Sequence, residues 1–190
     1  ADARRHLYAY AQDTLLPMGV TACVTARLFA EPTALLSEHA LVVVRTSLLQ
    51  VYGVIRGSVA RREHKQRRLV LLLEQELAGT VCDIAPARFP GADRDALFVS
   101  FHDAKVSVLQ YDPATHTLAV RSLHFFERPE YQGGHRQLVR GPWLAVDPQN
   151  RCAAALVYDR SVAVLPIEDS AHDSFLSALD DDDDDDDEEE

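Results

Sequence analysis

The sequence predicts an all-β fold, a partial β-propeller of about three blade-like antiparallel units with a disordered acidic C-terminal tail. Three segments repeat one pattern, in which a short apolar strand, a tight polar turn and a second strand follow each other. Their first residues, Ala40, Ala96 and Ala154, lie 56 and 58 residues apart, a period that suits radial blades of antiparallel strands. Apolar residues make up 47% of the chain, enough to build a core.

The first repeat consists of residues 40–44 (ALVVV), the polar turn RTS and residues 48–52 (LLQVY). This pattern is typical of a β-hairpin. Residues 69–77 (LVLLLEQEL) are expected to add a strand to it. A helix is possible there on propensity, but the run is short and ends at Gly79-Thr80, which favours a strand.

The second repeat consists of residues 96–101 (ALFVSF), the turn His102-Asp103-Ala104 and residues 105–111 (KVSVLQY). The turn sequence DPAT follows, and residues 117–126 (TLAVRSLHFF) then predict a further strand of the same unit.

The third repeat consists of residues 154–158 (AALVY), the turn DRS and residues 162–165 (VAVL). Both faces of several of these strands are apolar, so each sheet must be covered on both sides, as stacked blades are. Three blades cannot close a ring. We therefore expect uncovered apolar side chains around residues 97–101 or 156–164, marginal stability and a tendency to associate.

The acidic run at the end of the chain accounts for the whole net charge of −11. Residues 180–190 are all acidic, and without them the chain has equal numbers of acidic and basic residues. A neutral body lacks the electrostatic signature of a dedicated nucleic-acid binder. The predicted boundaries are residues 1–170 for the partial propeller and residues 171–190 for the disordered tail.

Deleting residues 180–190 is expected to leave the melting temperature nearly unchanged at physiological salt, because adjacent carboxylates repel and offer no apolar surface to bury. Thermal unfolding of the full and shortened chains checks this expectation. A large loss of stability would show that the acidic run docks on the body.

The segment of residues 56–68 is basic and has one acidic residue, Glu63. It is interpreted either as a nuclear-import or RNA-contacting patch or, with greater weight, as a solvated loop between blade strands. The basic residues that would contact nucleic acid are Arg56, Arg61, Arg62, Lys65, Arg67 and Arg68.

Motifs for catalysis, metals and cofactors are not found in the sequence. The three cysteines form no Cys-x-x-Cys pair, which excludes a zinc ribbon and suits a reducing compartment. His102-Asp103 resembles a catalytic dyad but falls in a predicted turn, and no nucleophile elbow accompanies it. Trp143 is either an interface anchor or a buried blade aromatic. We expect no enzyme activity, cofactor or metal.

Targeting and membrane signals are also not found. The longest apolar run, residues 152–158, is far shorter than a bilayer span, and residues 1–20 show no secretory pattern. The sequence therefore predicts an intracellular protein without membrane contact.

Residues 94–113 (RDALFVSFHDAKVSVLQYDP) resemble the first β-propeller of the largest subunit of the cleavage and polyadenylation specificity factor. The similarity extends from about residue 6 to about residue 168 and leaves out the acidic run. Further matching stretches are residues 115–116, 122–127, 129–130, 146–148, 151–154, 156–158 and 164–166.

This resemblance implies a nuclear, non-catalytic scaffold of pre-mRNA 3′-end processing. In that factor the scaffold organises a WD-repeat subunit and a zinc-finger subunit, which contact the pre-mRNA, so that contact with RNA is mainly indirect. The same triple-propeller family includes the large damaged-DNA-binding subunit and a splicing-factor subunit. The alternatives are such a related scaffold, a direct RNA-binding module that uses residues 56–68, and a propeller enzyme that uses His102, Asp103 or His116.

Overall fold

The computed structural model describes residues 19–29, 37–57, 66–138 and 141–168. Within these residues the chain forms eleven strands and one short helix. In chain order the elements are β1 (Ala22–Ala26), β2 (Ala40–Arg45), β3 (Leu48–Gly57), β4 (Gln66–Glu76), β5 (Val81–Arg88), β6 (Asp95–Phe101), β7 (Lys105–Asp112), β8 (Thr117–Phe125), α1 (Pro129–Gln132), β9 (Trp143–Val146), β10 (Cys152–Tyr158) and β11 (Ser161–Pro166).

The strands form three antiparallel sheets, which we call blades 1, 2 and 3. Blade 1 has the order β1-β2-β3-β4, blade 2 the order β5-β6-β7-β8 and blade 3 the order β9-β10-β11. The first strand of blade 2, β5, contacts the first strands of both other blades, β1 and β9, whereas the outer strands β4 and β8 meet only at their ends. The blades therefore fan outward from a common inner edge, and the predicted all-β, blade-like architecture is confirmed. The acidic tail lies outside the described residues.

The three predicted hairpins are confirmed as β2-β3, β6-β7 and β10-β11. The strand expected at residues 69–77 is also confirmed, and the helix alternative is wrong. The leucine- and glutamate-rich β4 pairs with β3 along its length, so tertiary pairing overrides the helix propensity of these residues. The strand ends before Gly79, whose φ of 138° and close approach to the Phe101 ring suit no residue with a side chain.

Blade 2 lies between the other two blades. The side chains of Leu97, Val99 and Phe101 pack against blade 1, whereas those of Ala96 and Phe98 pack against blade 3. This alternation explains why β6 is apolar on both faces. The expectation that residues 97–101 would be uncovered is wrong, because the middle blade has a neighbour on each side and all of these side chains are buried.

Polar side chains connect neighbouring blades at their edges. The Asp95 carboxylate accepts a hydrogen bond from the Arg27 backbone N–H at 2.7 Å and from Arg88 Nε at 2.9 Å. Between blades 2 and 3, the Leu144 N–H donates to Asp83 Oδ2 at 2.9 Å, and the buried Ser100 hydroxyl donates to the Pro142 carbonyl at 2.6 Å. These bonds fix the relative position of the three sheets.

Replacing Asp95 with alanine is expected to lower the free energy of unfolding by about 1–3 kcal/mol, because it leaves partly buried donors of Arg27 and Arg88 without their acceptor. The exposed neighbour Asp93, whose side chain is 71% exposed, is the matched control, and its replacement should change the stability by less than about 0.5 kcal/mol. Denaturant unfolding of both variants measures the difference. Equal effects would mean that the Asp95 carboxylate does not connect blades 1 and 2.

Candidate interaction surfaces

The outer face of blade 3 is apolar and open. Cross-strand pairing aligns Trp143, Leu156 and Val162 in one row of this face. Trp143 is 59% exposed and Val162 is 60% exposed. The adjacent row holds Ala145, Ala154 and Val164. The expectation of uncovered side chains within residues 156–164 is therefore confirmed, and the hypothesis that Trp143 is a buried blade aromatic is wrong.

The outer face of blade 1 forms the other end of the stack. Leu71 pairs with Tyr52, and Leu69 pairs with Val54. Leu69 and Leu71 are 55% and 44% exposed, whereas Val51, on the inward face of β3, is buried. The stack of three blades thus has an apolar face at each end, and such faces mark places where another sheet or protein packs.

The basic segment of residues 56–68 connects β3 and β4. Arg61, Arg62 and Lys65 lie outside the described residues. The backbone of Arg56 pairs with that of Arg67, and Arg68 pairs with Ile55, so the two ends of the segment are adjacent. The Arg68 side chain is exposed. The proposed contact of these residues with nucleic acid remains a prediction.

The residues considered for catalysis do not meet in one site. His102 and Asp103 occupy the turn before β7, as predicted, and His116 occupies the turn after it. Because β7 has eight residues, the two turns lie roughly 25 Å apart. The Gln137 amide donates to the His102 carbonyl, and the His116 ring bonds to the Tyr111 hydroxyl at 2.8 Å. Both histidines thus have structural partners outside their own turns.

A cavity of about 500 Å³ lies beside the His102-Asp103 turn, where blades 2 and 3 meet. It is open and polar, and the buried Tyr158 forms part of its wall. The Tyr158 hydroxyl donates to the Phe126 carbonyl, and His135 lies 3.6 Å from the Asp159 carboxylate. Across the described ranges, no three His, Cys, Asp or Glu side chains are grouped in a way that could hold a metal ion.

Cys82 is a structural residue in this fold. Burial raises the pKa of its thiol, and the thiol donates to the Gly141 carbonyl at 2.7 Å. A protonated, hydrogen-bonded thiol is a poor nucleophile, so the contact serves to hold the β8-β9 connection against β5.

The helix that the structure describes, α1, has four residues and is too short to cross a membrane.

Antiparallel blades that pack face to face, with their first strands adjacent, define a β-propeller domain. A family model described as the RSE1/DDB1/CPSF1 first beta-propeller matches residues 19–181. The chain belongs to this family, and the resemblance found in the sequence is confirmed.

Three relatives show the range of this similarity. Cleavage and polyadenylation specificity factor subunit 1 of Drosophila melanogaster is 39% identical over 139 residues, which cover 68% of this chain and 10% of the relative. Protein cft1 of Aspergillus fumigatus is 32% identical over 185 residues, 85% of this chain and 12% of the relative. The Arabidopsis thaliana subunit 1 is 38% identical over 104 residues, 51% of this chain and 7% of the relative. The chain spans about a tenth of the length of these relatives.

Proposed function

We propose that the chain is a non-catalytic scaffold module of the pre-mRNA 3′-end cleavage and polyadenylation machinery and acts in the nucleus. The observation that carries this proposal is the family match over residues 19–181 together with relatives from an insect, a fungus and a plant. Two of these relatives are named as subunits of the cleavage and polyadenylation specificity factor.

The surfaces of the molecule support a role in protein contact. Its exposed large side chains are concentrated on the end faces of the stack and on the outer strand of blade 2, and contiguous apolar surface of this kind marks protein interaction sites. The acidic and basic residues of the body balance, so long-range attraction to phosphate is weak. The proposed partners are the WD-repeat and zinc-finger subunits of the polyadenylation complex, through which pre-mRNA would be contacted indirectly.

Binding to purified partners tests this function. The chain is immobilised and mixed with the purified WD-repeat and zinc-finger subunits after nuclease treatment. We expect at least one subunit to be retained. Retention of neither, combined with tight and sequence-selective RNA binding by the isolated chain, would contradict the scaffold function.

Direct RNA binding is the second candidate, and one observation favours it. The backbone of Arg56 pairs with that of Arg67, which brings the two ends of the basic segment together, and the side chain of the adjacent Arg68 is exposed. If this segment binds phosphates, RNA affinity should fall steeply as the salt concentration rises. A weak and shallow salt dependence would reject this function.

A further inference from the structure

The outer edge of blade 2 carries an apolar strip that the stacking of blades does not explain. The strip consists of Val120, Leu123 and Phe125 on β8, which are 61%, 43% and 54% exposed. Blades 1 and 3 already cover the two faces of blade 2. Whatever covers the end faces of the stack would therefore leave this strip in water.

β8 is also the edge strand of blade 2. Phe126 N–H donates to the Ala104 carbonyl at 3.0 Å, and Phe125 pairs with Lys105 while Leu123 pairs with Ser107. Because bonded and non-bonded pairs alternate along an antiparallel ladder, Leu123 and Phe125 direct their backbone N–H and C=O groups away from β7. The strip thus has free backbone groups beside its exposed apolar side chains.

A side chain of blade 1 already uses the start of this edge. Gln75 Nε2 donates to the Leu118 carbonyl and Gln75 Oε1 accepts from the Leu118 N–H, both at 2.9 Å. These two bonds reproduce the contacts of a neighbouring strand. By the same alternation, Val120 also directs its backbone groups outward, so the edge offers further positions of the kind that Gln75 fills.

The charge of the β8 edge indicates which kind of partner segment it can bind. Residues 117–125 contain Arg121 and no carboxylate. The Arg121 guanidinium lies 3.7 Å from the centre of the Phe89 ring, which packs on the blade 3 side, so Arg121 lies on the face of β8 opposite the apolar strip. Burial lowers the pKa of His124, so this ring is neutral and Arg121 carries the charge of the strand. In contrast, the edge strand β4 carries Glu74 and Glu76 near its end, and charged side chains of this kind discourage pairing with another strand.

We propose that the edge of β8 binds an extended segment of a partner protein that alternates apolar and acidic residues. The segment would add a fifth strand to blade 2, bonding the outward backbone groups of Val120, Leu123 and Phe125 and covering their side chains. Its apolar side chains would share the face of the strip, and its carboxylates would lie on the opposite face, beside Arg121. This inference deepens the scaffold function proposed above and rests on it, since it assigns one contact surface of the scaffold.

The test measures binding of two fluorescein-labelled nine-residue peptides to the full chain at concentrations where the protein is monodisperse. One peptide alternates valine and glutamate, and the other alternates valine and lysine. Two variants alter the edge. Leu123→Pro removes an outward N–H that the ladder does not use, and Phe125→Lys removes apolar surface and adds positive charge. Val162→Lys, at an equally exposed valine of blade 3, is the control.

We expect the glutamate peptide to bind at least about tenfold more tightly than the lysine peptide. Leu123→Pro should weaken its binding at least about tenfold, and Val162→Lys should leave it unchanged. In Phe125→Lys, the loss of apolar contact weakens peptide binding while the added positive charge attracts the peptide's carboxylates. Because these two effects oppose each other, this variant is measured by hydrogen exchange, and the peptide should protect the amide of residue 125 less than it does in the parent chain. The parent chain should show slowed exchange at Val120, Leu123 and Phe125 when the peptide is bound.

Three results would overturn the proposal. The first is equal binding of the two peptides, and the second is protection of backbone amides on β4 or β11 instead of β8. The third is that the chain binds neither peptide while Phe125→Lys abolishes its self-association, which would assign the edge to a second copy of the chain. Unfolding curves of the variants establish that they fold. If the purified partner subunits still bind the chain while β8 fails these tests, the scaffold function stands and only this surface is rejected.

Discussion

Replacing Phe98 with alanine is expected to lower the free energy of unfolding by about 3–5 kcal/mol, since large-to-small changes in a packed core lose buried surface and leave a cavity. Phe98 is 2% exposed and lies in the core between blades 2 and 3, with its ring stacked on that of Phe89 at 6.3 Å. Whole domains have net stabilities of about 5–15 kcal/mol. The variant should therefore be partly unfolded at body temperature.

Phe125→Ala is the matched control for this prediction, because the same atoms are removed from a ring that is 54% exposed. Its effect should stay below about 1 kcal/mol. Denaturant unfolding followed by circular dichroism compares the two variants. Equal losses of stability would mean that blade 3 does not cover blade 2 in solution.

Changing both Val162 and Val164 to lysine is expected to suppress self-association of the chain. The two valines are 60% and 63% exposed on the open face of blade 3, and each aliphatic side chain that leaves water gains roughly 1.5–3 kcal/mol. Two like charges on this face should weaken association at least about tenfold. Sedimentation velocity over a range of protein concentrations measures the change.

Thr117→Lys serves as the control for association, since threonine has the shape of valine and residue 117 is exposed at the start of β8. This variant should associate like the parent chain. A parent chain that is a compact, cooperatively melting monomer at high concentration would contradict the prediction, because it would show that the open faces are already covered.

The sequence predicted the repeated hairpins because each has two apolar strands and a short polar turn, which are local signals. It did not predict β1, β5 or β9. β5 contains Asp83 and Pro86, which disfavour a strand by propensity, and β9 has only four residues. In β5, the Asp83 carboxylate and the neighbouring strand supply the stabilising contacts, and these come from distant parts of the chain.

The candidate surfaces were predicted less completely than the fold. The exposure of residues 156–164 was predicted because three blades leave the two end blades each with an uncovered face. The sequence does not say which blade lies in the middle, so residues 97–101 were expected to be exposed as well. The strip on β8 was not predicted. Its valine, leucine and phenylalanine resemble core residues, and a register shift opposite Val108 and Leu109 changes which side chains face inward.

Affinity purification of the tagged chain from ribonuclease-treated nuclear extract tests whether the chain is a scaffold module of 3′-end processing. A scaffold module of 3′-end processing should enrich polyadenylation subunits, including the WD-repeat and zinc-finger subunits, and the enrichment should survive removal of RNA. Enrichment of a damaged-DNA-binding or splicing assembly instead, or loss of all partners when the RNA is removed, would contradict this function.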